Sequence, residues 1–490
     1  VKVHIEHGDI HRVDLKTRMP FKYGIATMTE TPHVFVRLWV LADGKPSVGM
    51  AADHLPPKWF TKDPDKPIAV EIDEMLRVIQ NALRLAEGLS ADSPFDTWLR
   101  LEEAQAEWGE QVRLPPLLTQ FGTSLVERAL IEAVCYAEGR PLHELLRANQ
   151  FCIRPGDIYY ELAGRAPAEF LPERPLERIV VRHTVGLLDP LTDEDIPAGE
   201  RLDDGLPKSL VACIRSYGLR HFKIKLSGEW ERDRDRLEQI AAVMDVYAPS
   251  DYAFSLDGNE QFPSLSAFSE YWRNLRLQIA LAGFLDHLLF IEQPVHRSTA
   301  LRFDTEDEVR SLRALAYIDK GEVRSLPLGV LLPPLIIDES DAHSNSLWLA
   351  LSRGYAGTSH KNCKGIFKSV ANYCLLEKLR REEPSRQLVL SGEDLANIGP
   401  VALLQDLAVC AALGIQSVER NGHHYFAGLS MFPADMQRRV LKCHGDLYRP
   451  SRDGWPTLNI RDGAVDVRSV FAAPFGVGFP VDVEQFELVA

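Results

Sequence analysis

The sequence predicts an α/β protein in which a parallel barrel follows a smaller α+β domain. The first observation is a set of three short apolar runs, each ending on a carboxylate: FSLD at Asp257, LLFIE at Glu292 and PLIID at Asp338. An apolar run of strand length is the pattern of a strand covered on both faces, and a charge where the run stops marks the strand's exit. The second is rhythm: from about residue 180 onward, strand-like and helix-like segments alternate. The third is length, since 490 residues exceed one ordinary core but accommodate a barrel of about 250 residues and a second domain.

Residues 1–150 read as the α+β domain. KVHIEHGDIHRVDL and HVFVRLWVLADGKPSVGMA are strands, with ADGK a tight turn. MPFKYGIATMTETP and HLPPKWFTKDPDKP are rich in Pro, Gly and aromatics, and read as ordered loops. The clearest helix is read as starting at Ser124 with Glu127 completing a capping box, and as ending at Gly139 and Pro141.

Residues 180–430 supply eight candidate strands: 183–188, 221–226, 252–259, 288–294, 334–340, 356–363, 387–394 and 415–420. Eight strands separated by helical segments fit a (β/α)8 barrel. The 295–333 interval exceeds one crossover and reads as an insertion. Residues 431–490 lose the rhythm and read as a segment packing back on the first domain.

A formal charge of -15 without a dense Lys/Arg stripe argues against nucleic acid or an anionic membrane as partner. The seven cysteines are scattered and lack C-x-x-C spacing, which suits reduced thiols in a cytoplasm. No apolar stretch has membrane-spanning length, so a cytoplasmic location is the expectation.

The chemistry concentrates at strand ends. A charge inside a doubly covered strand costs several kcal/mol unless paired, whereas one at the carboxyl end opens into the barrel mouth. Asp257, Glu292 and Asp338 meet that condition on three consecutive strands, and their oxygen donors suit Mg2+. Each taken singly also fits a helix N-cap. Asn259, Glu260 and Glu339 stand close enough in sequence to coordinate or support.

Lys223 and Lys225 are two apart and share one strand face. Mutual repulsion, with a metal nearby, would lower a lysine pKa towards that of a general base, while Lys223 reads better as the partner of a ligand carboxylate. SHKNCKG on the sixth strand adds Lys361 and Lys364. Strands two and six lie across an eight-stranded ring, so their lysines can face each other over a bound substrate.

In order, F-K-I-K-L, S-L-D-G-N-E, F-I-E-Q-P, I-D-E-S and H-K-N-C-K-G resemble the enolase superfamily, within it the mandelate racemase/muconate-lactonizing enzyme group. R-M-P-F-K-Y-G and V-E-R-A-L-I-E-A resemble that group's capping domain. The resemblance implies a TIM-type (β/α)7β barrel with an N-terminal α+β capping domain, one helix short of the count above. It implies Mg2+ held by Asp257, Glu292 and Asp338, with Lys225 and Lys361 as acid/base residues. The implied reaction removes the proton α to a carboxylate of a small molecule through an Mg2+-stabilised enediolate. Cap loops set substrate choice in such proteins, which makes Phe21, Tyr23, His54 and Trp59 candidates for substrate contact, or for packing between cap and barrel.

Two motifs depart from the pattern. The sixth strand reads K-G-I where a G-G pair is usual, and L-S-G-E-D on the seventh offers no histidine, which argues against a His–Asp dyad while His360, His423 and His424 remain in play. The leading expectation is an Mg2+-dependent racemase, epimerase, cycloisomerase or lyase of the two-lysine type. An acid-sugar dehydratase and a non-catalytic barrel scaffold are the alternatives. The tail is apolar enough to allow a homo-oligomer.

Overall fold

The computed structural model describes residues 1–302 and 333–489, so most of the insertion read at 295–333 lies outside the described residues. The chain begins with an antiparallel meander of β1 (Val3–Tyr23), β2 (Ala26–Ala42) and β3 (Lys45–His54). Asp43 and Gly44 both take positive φ, 48° and 78°, in the tight turn joining β2 to β3. Three helices follow, α1 (Ile68–Ala86), α2 (Pro94–Gln111) and α3 (Pro116–Glu138); α1 and α3 pack on the sheet, and α2 packs on them. The α3 backbone comes so close to β3 at Gly49 that a Cβ there would lie 1.9 Å from the Ala129 carbonyl oxygen.

Two local readings change. MPFKYGIATMTETP is the tip of the β1–β2 hairpin rather than a loop, with Phe21 opposite Met28 and Tyr23 opposite Ala26. Pro20 falls in a register break between Lys16 and Phe21, where no ladder bond is asked of it.

Helix α3 starts at Pro116, eight residues before the expected Ser124, whose hydroxyl instead donates to the Phe121 carbonyl at 2.8 Å. Glu127 caps a different helix. Its carboxylate accepts from the backbone N–H groups of Ile366 (2.9 Å) and Phe367 (2.7 Å), the first residues of Ile366–Glu382. Cap and barrel are thereby tied next to the sixth-strand lysines. We expect Glu127→Ala to orphan two buried donors at about 1–3 kcal/mol each, and therefore to lower the melting temperature in calorimetry. Unchanged melting would show that the tie carries no stability.

Eight parallel strands form the barrel: Arg178–Val185, His221–Lys225, Ala253–Asp257, Leu288–Glu292, Leu335–Ile337, Gly357–His360, Val389–Gly392 and Ser417–Arg420. The eighth pairs back on the first, Val418 opposite Val181, and closes the ring. The eighth strand is followed by a single helical turn, Gly422–Tyr425, in keeping with the (β/α)7β count. The first strand begins five residues before the predicted 183–188 segment. Arg182 hides it from a hydrophobic pattern, because this guanidinium sits inside the barrel against Ser391, Ser417 and Glu393.

The last stretch touches both halves. Ala464–Asp466 pairs antiparallel with the first barrel strand, while Glu487–Leu488 pairs with Arg12 and His11 of β1. Beside that pair Phe486 stacks on Phe35 with ring centroids 5.2 Å apart. Among the described residues no helix is long and apolar enough to cross a membrane.

Candidate active site at the barrel mouth

Register sets the site. Lys225, Asp257 and Glu292 end the second, third and fourth strands and stand opposite one another across the sheet. Asp338 follows the fifth strand directly, and Lys361 the sixth. All five are buried. Lys225, Asp257, Asp338 and Lys361 line a cavity between the barrel and the cap hairpin, and Glu292 lies outside its lining.

Carboxylates and ammonium groups interleave at the cavity floor. Lys223 Nζ lies 3.1 Å from Asp257, 2.8 Å from Glu292, 2.9 Å from Glu393 and 2.8 Å from Glu419. Lys225 reaches Asp257 Oδ2 at 2.6 Å. Lys361 bridges Asp338 and Glu393 at 2.7 Å each, beneath the Trp59 ring. Lys364 donates to the same Asp338 oxygen at 2.7 Å and to Ser359. Five carboxylates (257, 292, 338, 393 and 419) thus meet four ammonium groups and the Arg182 guanidinium, which leaves the mouth close to charge balance.

The protonation pattern follows from this interleaving. Burial alone would raise Asp257, yet Lys223 and Lys225 pull it below the usual carboxylate value. Burial likewise opposes ionisation of Asp338, which Lys361 and Lys364 hold low. Glu393 is also carried well down against burial, by Lys223, Lys361 and Arg182. Glu292 goes the other way: burial and the neighbouring Glu393 push it well above the usual value.

The expected lowering is corrected for Lys223, and Lys361 behaves in the same way. Burial does push Lys223 and Lys361 down, but the surrounding carboxylates outweigh it and both end well above the ordinary lysine value. They face acids, not one another.

Does the donor set fit a hard divalent cation? Oxygens of Glu292, Asp338 and Glu393 come within 4.8 Å of one another. Both Glu292 carboxylate oxygens are buried and receive no properly aligned hydrogen bond. A convergent all-oxygen set with such under-donated oxygens is what Mg2+ requires. It fits.

Most residues singled out in the sequence come together here. Phe21, Tyr23, Trp59, Lys223, Lys225, Asp257, Asn259, Asp338 and Lys361 line the cavity. Cap contacts hold the aromatic wall: Tyr23 donates to the Pro57 carbonyl at 2.7 Å, and Arg297, paired with Glu260, donates to the Trp59 and Phe60 carbonyls at 2.9 Å. Glu339 is buried behind the floor, pushed up to about 7 by burial and by Asp338.

His54 does not reach the cavity. Its ring is buried in the cap against His33 (4.9 Å) and Phe426 (5.2 Å). It ends β3 on the face opposite Gly49 and Asp53, which meet α3, and there it packs against His33 and Phe426 instead of opening to the mouth. Among the described residues no histidine lines the cavity: His360 is held by Ser369 at 2.8 Å, and His423 lies against His183.

Glu393, Glu419 and Asn421 are the residues sequence reasoning missed. Their signal was present, since QLVLSGE and IQSVE end on acids as the three opening runs do. Ser391 and Gly392 weaken the first of these as an apolar run.

The fold is that of a capped TIM-type barrel, similar in architecture to solved proteins described as muconate lactonizing and mandelate racemase/muconate lactonizing enzymes. A muconate lactonizing enzyme from Pseudomonas fluorescens, complexed with muconolactone, superposes with TM-score 0.56 at 19% identity, over 98% of this chain and 97% of that one. An enolase from Bradyrhizobium complexed with magnesium and mandelic acid gives 0.58 at 14%, over 100% and 99%. A dipeptide epimerase from Enterococcus faecalis, complexed with Mg and L-Leu-L-Tyr, gives 0.57 at 14%, over 96% and 99%. At these identities the likeness is one of fold. No family model matches the chain, and no curated protein matches it in sequence.

Proposed function

We propose that this protein is an Mg2+-dependent enzyme that removes the proton α to a carboxylate, as a racemase, epimerase, cycloisomerase or lyase of the two-lysine type. The observation that carries the reading is the pair Lys225 and Lys361, on the second and sixth strands, lining one cavity above the carboxylate floor. The absence of a histidine from the lining among the described residues favours lysines over a His–Asp dyad.

Glu292 and Asp338 would hold Mg2+, with Asp257 as the third ligand that the sequence resemblance implies and Glu393 as the carboxylate whose oxygen converges with theirs. When bound, the ion supplies positive charge against the negative charge that builds on the substrate carboxylate as the α-proton leaves. Lys225 and Lys361 take or return that proton at the α-carbon, one from each side. Asp257 positions the first ammonium group, and Asp338 with Glu393 the second. The wall of Phe21, Tyr23, Met28, Pro56 and Trp59 excludes water and carries no charge, so the part of the substrate away from its carboxylate is apolar or aromatic.

A panel of carboxylic acids incubated with protein and Mg2+ in D2O, read by proton NMR, tests this before any product is known. Loss of the α-proton signal is expected for monocarboxylates with an apolar or aromatic group, and little for dicarboxylates. A protein that exchanges no α-proton across a broad panel would refute the reading.

A further inference from the structure

A second cluster of metal-ligating side chains lies outside the cavity, at the seam where the barrel closes. His183 is near the end of the first barrel strand, Cys213 is on the helix Leu210–Tyr217 that follows it, and His424 is in the turn after the eighth strand. All three are buried, and one ligand atom from each comes within 4.8 Å of the others.

From this geometry we infer a zinc-class site in which Cys213, His183 and His424 bind one Zn2+ or similar borderline-soft ion, separate from the Mg2+ carboxylates.

The details favour ligation over simple packing. Cys213 Sγ stands 3.7 Å from His424 Nδ1. Bonds of about 2.3 Å to sulfur and 2.0–2.1 Å to nitrogen at a tetrahedral angle put those two atoms about 3.5 Å apart, so little movement is needed. The other nitrogen of each imidazole faces a polar group, the side on which metal-bound histidines are held. His424 Nε2 points toward Asp189 Oδ2 at 4.0 Å, and His183 Nδ1 meets His423 Nε2 at 3.3 Å, which leaves His183 Nε2 for the ion. Asp189 is itself held by the Tyr425 hydroxyl at 2.7 Å and the Gly186 N–H at 2.7 Å. Binding displaces the Cys213 thiol proton to solvent. The dication is then offset by the thiolate and the Asp189 carboxylate, while Arg18, which donates to the His424 carbonyl at 2.9 Å, is itself paired with Asp204.

The ion would staple the first strand, its following helix and the turn after the eighth strand. Tyr425, next to His424, stacks on Phe21 of the cavity wall with centroids 4.0 Å apart. The staple therefore also steadies one side of the proposed active site.

The test uses the full chain, stripped with a chelator and titrated with Co2+ under saturating Mg2+. The expected result is a near-ultraviolet thiolate-to-cobalt charge-transfer band saturating at one ion per chain and bleached by Zn2+. Cys213→Ser should lose the band, and Glu292→Gln should keep it. His423→Phe leaves the ligands in place but removes the partner of His183, so it should weaken Zn2+ binding roughly ten- to a hundredfold. No band in the wild-type protein, or a band that survives Cys213→Ser, overturns the site. If Cys213→Ser does not fold, the wild-type band and the His423→Phe shift decide the matter.

Discussion

Lys361→Ala should slow exchange of the substrate's α-proton with D2O on one face by about 100- to 10,000-fold, the usual contribution of a positioned acid or base. Exchange on the other face, through Lys225, should persist. The expectation follows from placement: Lys361 Nζ is fixed between Asp338 and Glu393 with its charge aimed into the cavity under Trp59. Proton NMR on each enantiomer separates the two faces, and circular dichroism checks the fold. Two-sided exchange at the wild-type rate would remove Lys361 from the mechanism.

Glu292→Gln should abolish stabilisation by Mg2+. Glu292 is fully buried with the Lys223 ammonium 2.8 Å away but no aligned hydrogen bond to either oxygen, which leaves it open to coordinate a metal. Ligand at a hundred times its dissociation constant stabilises a folded protein by about 2.7 kcal/mol, and the variant should show none of that gain in thermal melts with and without Mg2+. Asp257→Asn and Asp338→Asn should behave in the same way. Glu393→Gln should keep most of the Mg2+ gain, because Glu393 is committed to Lys223, Lys361 and Arg182. If Glu393→Gln loses the gain while Asp257→Asn keeps it, the third ligand is Glu393. Unchanged Mg2+ affinity in both Glu292→Gln and Asp257→Asn would refute the metal assignment.

The barrel was legible where strands are apolar and end abruptly. Asp257, Glu292 and Asp338 stand out because nothing polar precedes them within their runs. The pattern fails where the barrel interior is itself charged. Arg182 hid the start of the first strand, and Ser391 with Gly392 masked the exit at Glu393, although Arg182 and Glu393 are partners inside the ring.

Long-range pairing is the other blind spot. Glu127 and Ser124 have capping-box spacing, but the true partners of Glu127 are backbone groups of residues 366 and 367, more than two hundred positions away. His54 was placed by its nearness to the aromatic loop. Strand alternation, which decides the face, became usable only once β3 was known to run through residue 54.

The pairing of Glu487–Leu488 with β1 has a kinetic consequence. Closing a loop over almost the whole chain costs about 5 kcal/mol in entropy, more than a two-residue ladder and one aromatic stack return. That contact cannot nucleate anything. It forms once the barrel has brought the two ends of the chain close, so amide-exchange protection of Val489, whose N–H donates to the Ile10 carbonyl at 2.8 Å, reports assembly of the whole molecule, not of the first sheet.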